Sequence, residues 1–482
     1  MGTVTHHPLE TTSLVTTPHY TQLQPVPRVL APIMGLLFFA IGYFDFFDVL
    51  GLRLIVQALL LGSLFIVALP NLLIVRKKAL REPLFLLALT FMLAEMLSPS
   101  KDTWLTAILG MGVTAVLLLL VFSSGPDFAS QILKWLIVIA GFFATLGVVQ
   151  FFLLLQQPEF VEYTINPNYV NYIDGMGGSR NFVSLSGGDF QISHPITLLG
   201  MTTGEEFFLG IKTPRIFSFA REPGLLIMYF FLPGVLALTY RSGISLLAIP
   251  LFAVAFLGFT GTVYASVLCA MAIVVAYALV KGLGKPGLLT WVLLGSTVLA
   301  ASLMYWSTYF DDLLFVLFRN DLFQSNIRYL GFLDTFDSAL VRLEQLRSTA
   351  PAANALGIVT GHIPGATGWI AYGLFKASIL GALLVVMALY QIFKAASAYL
   401  LFSRGSVIAW ALLCGIYMQV GFFQQYGFTL PAGFLITALT LERVRHLAIR
   451  KESRRLDLIH RGGEGNPEYP QFPAASIDKG RI

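Results

Sequence analysis

Roughly a dozen helix-length apolar runs follow one another along this chain, and two long polar stretches, at about 156–222 and 306–366, interrupt them. A membrane-spanning helix needs about 20 apolar residues to cross about 30 Å of hydrocarbon, and the runs meet or approach that length. A chain this poor in charge has little reason to keep two long polar segments outside the bilayer unless they are used. The pattern therefore predicts a multi-span helical membrane protein with two enlarged loops.

The composition supports this class and excludes others. Apolar residues make up 56% of the chain and charged residues 12%, about half the usual share in soluble domains. The period-2 alternation of an outer-membrane barrel is missing from the sequence. The formal charge of +5 does not indicate nucleic-acid binding, because the basic residues fall mostly at helix ends and in the C-terminal tail. Both cysteines, Cys269 and Cys414, fall in predicted spans, so we expect no disulfides.

The positions of Lys and Arg predict the topology. With the N-terminus inside, the even connections and the tail are cytosolic and carry most of the basic residues, as the positive-inside rule requires. Both long polar stretches then become external loops, the third and the fifth. We expect spans near 30–47, 52–72, 82–98, 103–122, 132–155, 223–240, 243–260, 262–280, 286–306, 367–392, 406–425 and 427–442.

This topology divides the chain into three parts. Residues 1–29 are expected to form a cytosolic N-terminal tail, because they lack the features of a signal peptide. Residues 30–442 form the membrane domain. Residues 443–482 form a basic, partly disordered cytosolic tail, whose last part, 462–482, is rich in Gly, Pro and mixed charge.

The first polar stretch ends in a charged cluster immediately before an apolar run, over residues 214–224. Pro223 suits the first turn of a helix, Glu222 favours the positive helix N-terminus, and Arg221 can reach the interface from there. A purely local role of this kind competes with a functional one. Arg215 and Arg221 are suited to bind a pyrophosphate headgroup bidentately, and Glu222 to act as general base toward a sugar hydroxyl.

The cluster resembles a known signature. Residues Arg215, Glu222, Pro223 and Gly224 match the pattern Arg-x-x-Gly-x-x-x-Glu-Pro-Ser/Gly, which precedes a membrane helix in bacterial Wzy-type O-antigen and exopolysaccharide polymerases, with Ser218 in place of the Gly. Twelve spans with enlarged third and fifth external loops are also similar to that family, over most of the chain. The resemblance implies an all-α, GT-C-like membrane fold of about 12 transmembrane helices with two long periplasmic loops.

The second polar stretch carries further candidate phosphate ligands. Its apolar residues recur at helical spacing from about 325 to 346, which predicts an amphipathic helix along the membrane surface. A solvated charged face is the alternative explanation for any single Arg in it. The segment 356–362 is similar to the fold-back segment that follows an Arg in these polymerases, which favours Arg342, then Arg328, as a pyrophosphate ligand. Arg347 and His362 are secondary candidates.

Lys376 is a charged residue within an apolar run, about nine residues into the predicted span 367–392. A charge at the bilayer centre costs about 2.5–3.5 kcal/mol on insertion scales, so it should face a cavity or a partner. Lys376 is therefore a candidate for binding the substrate pyrophosphate. A structural pairing with Glu95, Asp45 or Asp48 is the competing explanation.

The resemblance also implies a function. Such enzymes work in the bacterial inner membrane, with both termini cytosolic, and join undecaprenyl-pyrophosphate-linked oligosaccharide repeats at the periplasmic face. The implied catalytic residues are Glu222, Arg215 and Arg221. The implied partners are lipid-linked glycan, membrane lipid, and a chain-length regulator and a flippase of the same pathway. The sequence shows no metal-ligand spacing and no phosphate-binding loop, so we expect a metal-independent glycosyltransferase without a cofactor.

Two alternatives stay open. An O-antigen ligase, which transfers glycan to lipid A core, is a close relative, but it carries a His where this chain has Thr367, and two enlarged loops also argue against it. A twelve-span transporter or lipid-linked-sugar flippase would place charges at mid-membrane in discontinuous helices and would often have repeated halves. We detect no repeated halves in this sequence.

Overall fold

The computed structural model describes residues 31–36, 78–97, 104–124, 126–156, 202–208, 211–218, 223–240, 243–258, 260–283, 287–306, 368–402, 407–423, 428–429 and 431–462. The helical segments, labelled in chain order, are α1 (Pro83–Leu97), α2 (Trp104–Ser124), α3 (Pro126–Gln156), α4 (223–237), α5 (243–257), α6 (Gly261–Gly282), α7 (Leu288–Trp306), α8 (Trp369–Phe402), α9 (Val407–Phe422) and α10 (Pro431–Gly462). Two strands, β1 (Thr202–Phe208) and β2 (Ile211–Ser218), lie between α3 and α4.

The predicted helical membrane character is confirmed. Within the described residues, the stretches Pro126–Phe152, Gly261–Gly282 and Lys376–Ser397 are long and apolar enough to cross a membrane, and six shorter apolar helices accompany them. The outward face of α6 is apolar along its length, with more than half of each of these side chains exposed: Leu268, Met271, Val275 and Leu279. An exposed apolar face of this extent matches a lipid environment.

The count of twelve spans stays a prediction. The expected span 52–72 and most of 30–47 lie outside the described residues. For some described helices the agreement in bounds is close, as in 82–98 against Pro83–Leu97 and 262–280 against Gly261–Gly282. The GT-C-like arrangement likewise stays a prediction.

Hydroxyl side chains inside the apolar helices bond to their own helix. The hydroxyls of Thr297, Thr437 and Thr440 each donate to the carbonyl four residues earlier, at 2.7 Å. A polar group in hydrocarbon needs an internal partner, and this local bond supplies one without a second helix. These threonines are therefore compatible with spanning helices.

Close backbone packing holds α6 against α9. A Cβ atom added at Gly415 would lie 2.8 Å from the backbone nitrogen of Ala270 and would also meet the carbonyl oxygen of Ser266. Membrane helices approach in this way where small residues face each other. The pair forms one of the main helix contacts of the bundle.

The described bundle is helical, as expected, and β1 and β2 add an antiparallel hairpin inside the first long polar stretch. β-favouring residues flank Leu209-Gly210: Thr202, Thr203, Phe207 and Phe208 before it, and Ile211, Thr213, Ile216 and Phe217 after it. Their β-propensity stabilises the two strands. Pro214 lies in β2, and this position is tolerated because a two-stranded sheet has only edge strands.

The C-terminal helix is longer than the expected span 427–442. α10 begins at Pro431 and continues to Gly462, so the first twenty residues of the predicted tail are helical. Their Arg, Lys, Glu and Leu residues are good helix formers, which explains why the helix does not end at the membrane boundary.

Candidate active site at the hairpin end of the bundle

The hairpin packs against two helices. β2 packs against α3 and α5, and Ile216 is fully buried there. In the hairpin, Arg215 is opposite Gly204 and Pro214 is opposite Glu205. The backbone of Arg215 is thereby fixed next to a buried anchor, at the end of the bundle where α5 stops and α6 starts.

The helix α4 begins at Pro223, as the Glu-Pro pattern predicts. Its geometry is not that of a simple α-helix: Pro223–Leu225 is a 3₁₀ turn, Ile227–Phe231 is a π-turn, and Leu232–Ala237 is α-helical. Every side chain from Leu225 to Ala237 is buried. A helix that is apolar all round belongs in the interior, and π-turns recur at functional sites. The charged cluster therefore precedes a central, distorted helix.

Gly258, just after α5, contacts both sides of the charged cluster. A Cβ atom at Gly258 would lie 3.1 Å from the carbonyl oxygen of Ile216 and would also meet Cδ1 of Leu226. Ile216 precedes the charged residues Arg221 and Glu222, and Leu226 follows them. Strand β2 and the start of α4 are therefore brought to one place.

The turn between α5 and α6 adds a buried hydroxyl pair next to this place. The hydroxyls of Thr260 and Thr262 are 2.9 Å apart, and the hydroxyl of Ser266 donates to the Thr262 carbonyl at 2.8 Å. All three residues are buried. The hydroxyl groups satisfy each other and the first turn of α6, so they stiffen the turn beside Gly258.

The structure brings only part of the predicted site together. Arg215 lies on β2, although the described part does not include its side chain. The remaining charged candidates lie outside the described residues: Arg221, Glu222, Arg328, Arg342, Arg347 and His362. Asp45 and Asp48 lie there too, and the side chain of Glu95 is not described. The roles of these residues stay predictions.

The predicted span 367–392 is wrong as a continuous helix. Ala377 and Ser378 break α8, and Ser378 is the one non-glycine residue with positive φ in the described part, with φ 59° and ψ −159°. A Cβ atom at Gly373 would lie 2.8 Å from the carbonyl oxygen of Gly381. Residues eight apart in a straight helix are about 12 Å apart, so the chain reverses here into a helical hairpin.

Lys376 lies at the end of the first arm of this helical hairpin and is 8% exposed. It is therefore not in the middle of a continuous span, as the sequence indicated, but next to the reversal. Two glycines, Gly373 and Gly381, allow the arms to touch without side chains between them. A left-handed backbone at a serine costs on the order of 1–3 kcal/mol and is retained where the surrounding packing enforces it.

At the end of α4 opposite to Pro223, a polar cluster joins α3, α8 and α10 to residues that flank α1 and α4, and the sequence analysis missed it. Arg445 donates to Glu82 at 3.0 and 3.1 Å, to Glu442 at 2.8 Å and to Gln391 at 3.0 Å. Arg443 donates to the Ser130 hydroxyl at 2.7 Å and lies over the Tyr240 ring. His446 is 3.5 Å from Asp127. The sequence signal that could have revealed this cluster is the presence of acidic residues, such as Glu82 and Glu442, among the basic residues at the predicted helix ends.

In this polar cluster, the neighbouring carboxylates outweigh the effect of burial on the pKa of Arg445. Burial lowers the pKa of the Arg445 guanidinium, but hydrogen bonding and charge attraction from Glu82, and then from Glu442, raise that pKa above its usual value. The helix ends that meet here are those that the predicted topology places on one side of the membrane. The side itself, cytosolic by the Lys and Arg distribution, stays a prediction.

Comparison with known proteins gives no family for this chain. No protein-family model, curated protein or solved structure matches it. The functional interpretation therefore depends on the residues and contacts described above.

Proposed function

We propose that this protein is a membrane-embedded glycosyltransferase that polymerises lipid-pyrophosphate-linked oligosaccharide repeats at the outer face of the bacterial inner membrane. One observation carries the proposal. Ile216, next to Arg215, and Leu226, just after the Arg-Glu-Pro cluster, both contact Gly258. Arg215, on β2, is thereby next to an anchored residue at one end of the helical bundle, and Arg221 and Glu222 directly precede the anchored start of α4 in the sequence.

The proposed chemistry is a direct displacement. The hydroxyl oxygen of the acceptor sugar forms a bond to the anomeric carbon of the donor, and the bond from that carbon to the lipid pyrophosphate breaks. Glu222 accepts the hydroxyl proton or, where it orients an arginine instead, the departing pyrophosphate takes that proton. Arg215 and Arg221 stabilise the negative charge that develops on the departing pyrophosphate.

The further candidates complete this scheme as proposals. Arg328 or Arg342 from the second long loop provides another phosphate contact, with Arg347 and His362 as secondary candidates. Lys376, buried at the helical reversal, provides a cation within the bundle. The lipid carrier is expected to lie along apolar helix faces of the kind that α6 exposes.

A second function is favoured by one observation. The reversal at Ala377–Ser378 beside buried Lys376 is a discontinuous membrane helix with a charge, as transporters use for substrate sites. A lipid-linked-sugar flippase is therefore the main competing proposal. The ligase alternative has no such observation in its favour.

Loss of the gene separates these functions by what accumulates. Without a polymerase, single repeat units are exported and attached to their final acceptor or carrier, and long chains disappear. A flippase mutant traps single units on the cytosolic side, and a ligase mutant leaves long polymer on the carrier lipid. Gel analysis of extracted glycans reports the difference, and long chains that persist in the mutant would remove the polymerase proposal.

A further inference from the structure

The turn between the two arms of α8 is strained at a serine. Ser378 has φ 59° and ψ −159°, a region of backbone space that is essentially reserved for glycine. Its neighbours are Ala377 and Ile379, so no Gly or Pro breaks the helix at this point of the sequence. The Ser378 hydroxyl accepts the Ile379 N–H at 2.6 Å, which satisfies one donor at the start of the second arm. The residues of the turn therefore do not enforce the reversal by themselves.

The two arms, 369–376 and 379–402, touch through their backbones. A Cβ atom at Gly373 would lie 2.8 Å from the carbonyl oxygen of Gly381. A Cβ atom at Gly381 would meet the carbonyl oxygen of Gly373 and would lie 2.9 Å from Cβ of Ala377. These atoms cannot rotate away as the end of a long side chain can. A side chain at either glycine would therefore force the arms apart.

The first arm is held by aromatic contacts with two other helices. Trp369 is fully buried, and its ring meets the Phe434 ring of α10 edge-on, with 6.1 Å between the centroids. Tyr372 meets the Phe91 ring of α1 in the same way at 5.5 Å. Phe91 and Phe434 also touch each other edge-on, at 6.1 Å. These contacts stabilise the folded-back arm against the strain at Ser378.

The reversal lies at the outer surface of the bundle. On the second arm, Ile379, Leu380 and Leu383 are each more than half exposed, and so is Leu93 on α1. The helices α1 and α8 pack against each other. Exposed apolar side chains on two neighbouring helices match a lipid environment. An opening beside the first arm would therefore face lipid.

Strain at the turn and packing of the first arm oppose each other, as in elements that exchange between two states. We propose that the first arm is a gate toward the membrane, which exchanges between the folded-back state and a continuous helix with the second arm. Its withdrawal opens an apolar crevice beside Phe91 and Phe434, and such a crevice fits the hydrocarbon chain of a lipid-linked substrate. The gate rests on the proposed function for the identity of that substrate, but its movement is measured separately.

Two substitutions shift the exchange in opposite directions. Ser378→Gly relieves the strain of the folded-back state and weakens a continuous helix, so it favours the folded-back state. Gly381→Ala forces the arms apart and strengthens a continuous helix, so it favours the continuous state. Gly295→Ala on α7 is the matched control, because a Cβ atom at Gly295 would meet nothing within 4 Å beyond its own helix.

Spin labels on the two arms report the exchange in the full-length protein. The labels replace Ile370 and Met387, and Cys269 and Cys414 are changed to Ala so that only these sites react. The labelled positions are 17 residues apart in the sequence, which is about 26 Å along a continuous helix and much less across the hairpin. The distance distribution is recorded in nanodiscs with and without undecaprenyl phosphate, and chain growth from lipid-linked repeats is measured in parallel.

Undecaprenyl phosphate is expected to increase the long-distance population of the wild-type protein. Ser378→Gly should lower the ratio of continuous to folded-back protein roughly tenfold and should slow chain growth. Gly381→Ala should show the long distance without added lipid. Gly295→Ala should follow the wild type in both measurements.

A wild-type distance that does not respond to undecaprenyl phosphate would overturn the gate, and so would a Ser378→Gly protein that responds as the wild type does. These two measurements decide the matter even if Gly381→Ala fails to fold. A reduced response in Ser378→Gly with unchanged chain growth would overturn the role of the arm in substrate entry. If wild-type protein responds to the lipid but extends no chains, the polymerase proposal fails and the gate is still supported.

Discussion

Replacing Arg215 or Arg221 with Lys is expected to slow chain growth roughly ten- to a hundredfold, and replacing both to slow it further. A lysine keeps the charge but cannot reproduce the two parallel N–H donors that a guanidinium presents to a phosphate. A charge-assisted hydrogen bond contributes about 1.5–3 kcal/mol, which converts to that loss in rate. The assay is polymer length after a fixed time with purified protein.

The control for this prediction is on the same strand. Lys212 lies opposite Phe207 in the hairpin, so Lys212→Gln removes a charge near Arg215 without touching the signature. That variant should retain wild-type activity, and all variants should insert and purify alike. A fully active Arg215→Lys, Arg221→Lys double variant would reduce the cluster to an interface anchor.

Replacing Arg445 with Met is expected to be the most destabilising single change in the described part. Arg445 bonds to both Glu82 and Glu442, whose side chains are 5% and 11% exposed, so its loss leaves two carboxylates close together with little water. Removing one partner of a buried ion pair typically costs about 3–5 kcal/mol. The melting temperature in detergent should fall by several degrees.

Two further variants test the reason for this loss. Lys394, which is exposed and lies 5.8 Å from the Tyr390 ring, provides a control, and Lys394→Met should shift the melting temperature little. Adding Glu82→Gln to Arg445→Met should cost less than the sum of the single changes, because the two residues interact directly. An Arg445→Met protein that melts with the wild type would contradict the role of this cluster.

The sequence predicted the starts of several apolar helices well. The starts of α1, α2, α6 and α7 fall within two residues of expectation, because a membrane helix is determined by its own composition. The start of α4 at Pro223 was predicted from local capping chemistry in the same way.

The features that the sequence did not reveal depend on contacts between distant segments. The reversal at Ala377–Ser378 has no Gly or Pro at the turn itself, and it depends on contact between Gly373 and Gly381. The hairpin was hidden because its strands lie within a polar stretch. The Arg445 cluster joins residues hundreds of positions apart.

The candidate site was predicted as residue types and not as an arrangement. Arg215 and the Glu-Pro pattern were visible as charges set against a helix start. The contacts of Gly258 were not visible in the sequence, because a glycine in an apolar run carries no signal until its neighbours are known. Close approach between β2, α4 and α5 is a property of the folded bundle.

The most direct test of the proposed polymerase is reconstitution from purified components. Wild-type protein in liposomes receives undecaprenyl-pyrophosphate-linked repeats, with a chelator and without ATP. We expect chains longer than one repeat and release of the carrier pyrophosphate, both strongly reduced in the Arg215→Lys, Arg221→Lys protein. Movement of the lipid-linked repeat between leaflets without any chain growth would contradict the polymerase and identify a flippase. Chain growth at the same rate in protein-free liposomes would exclude catalysis by this chain.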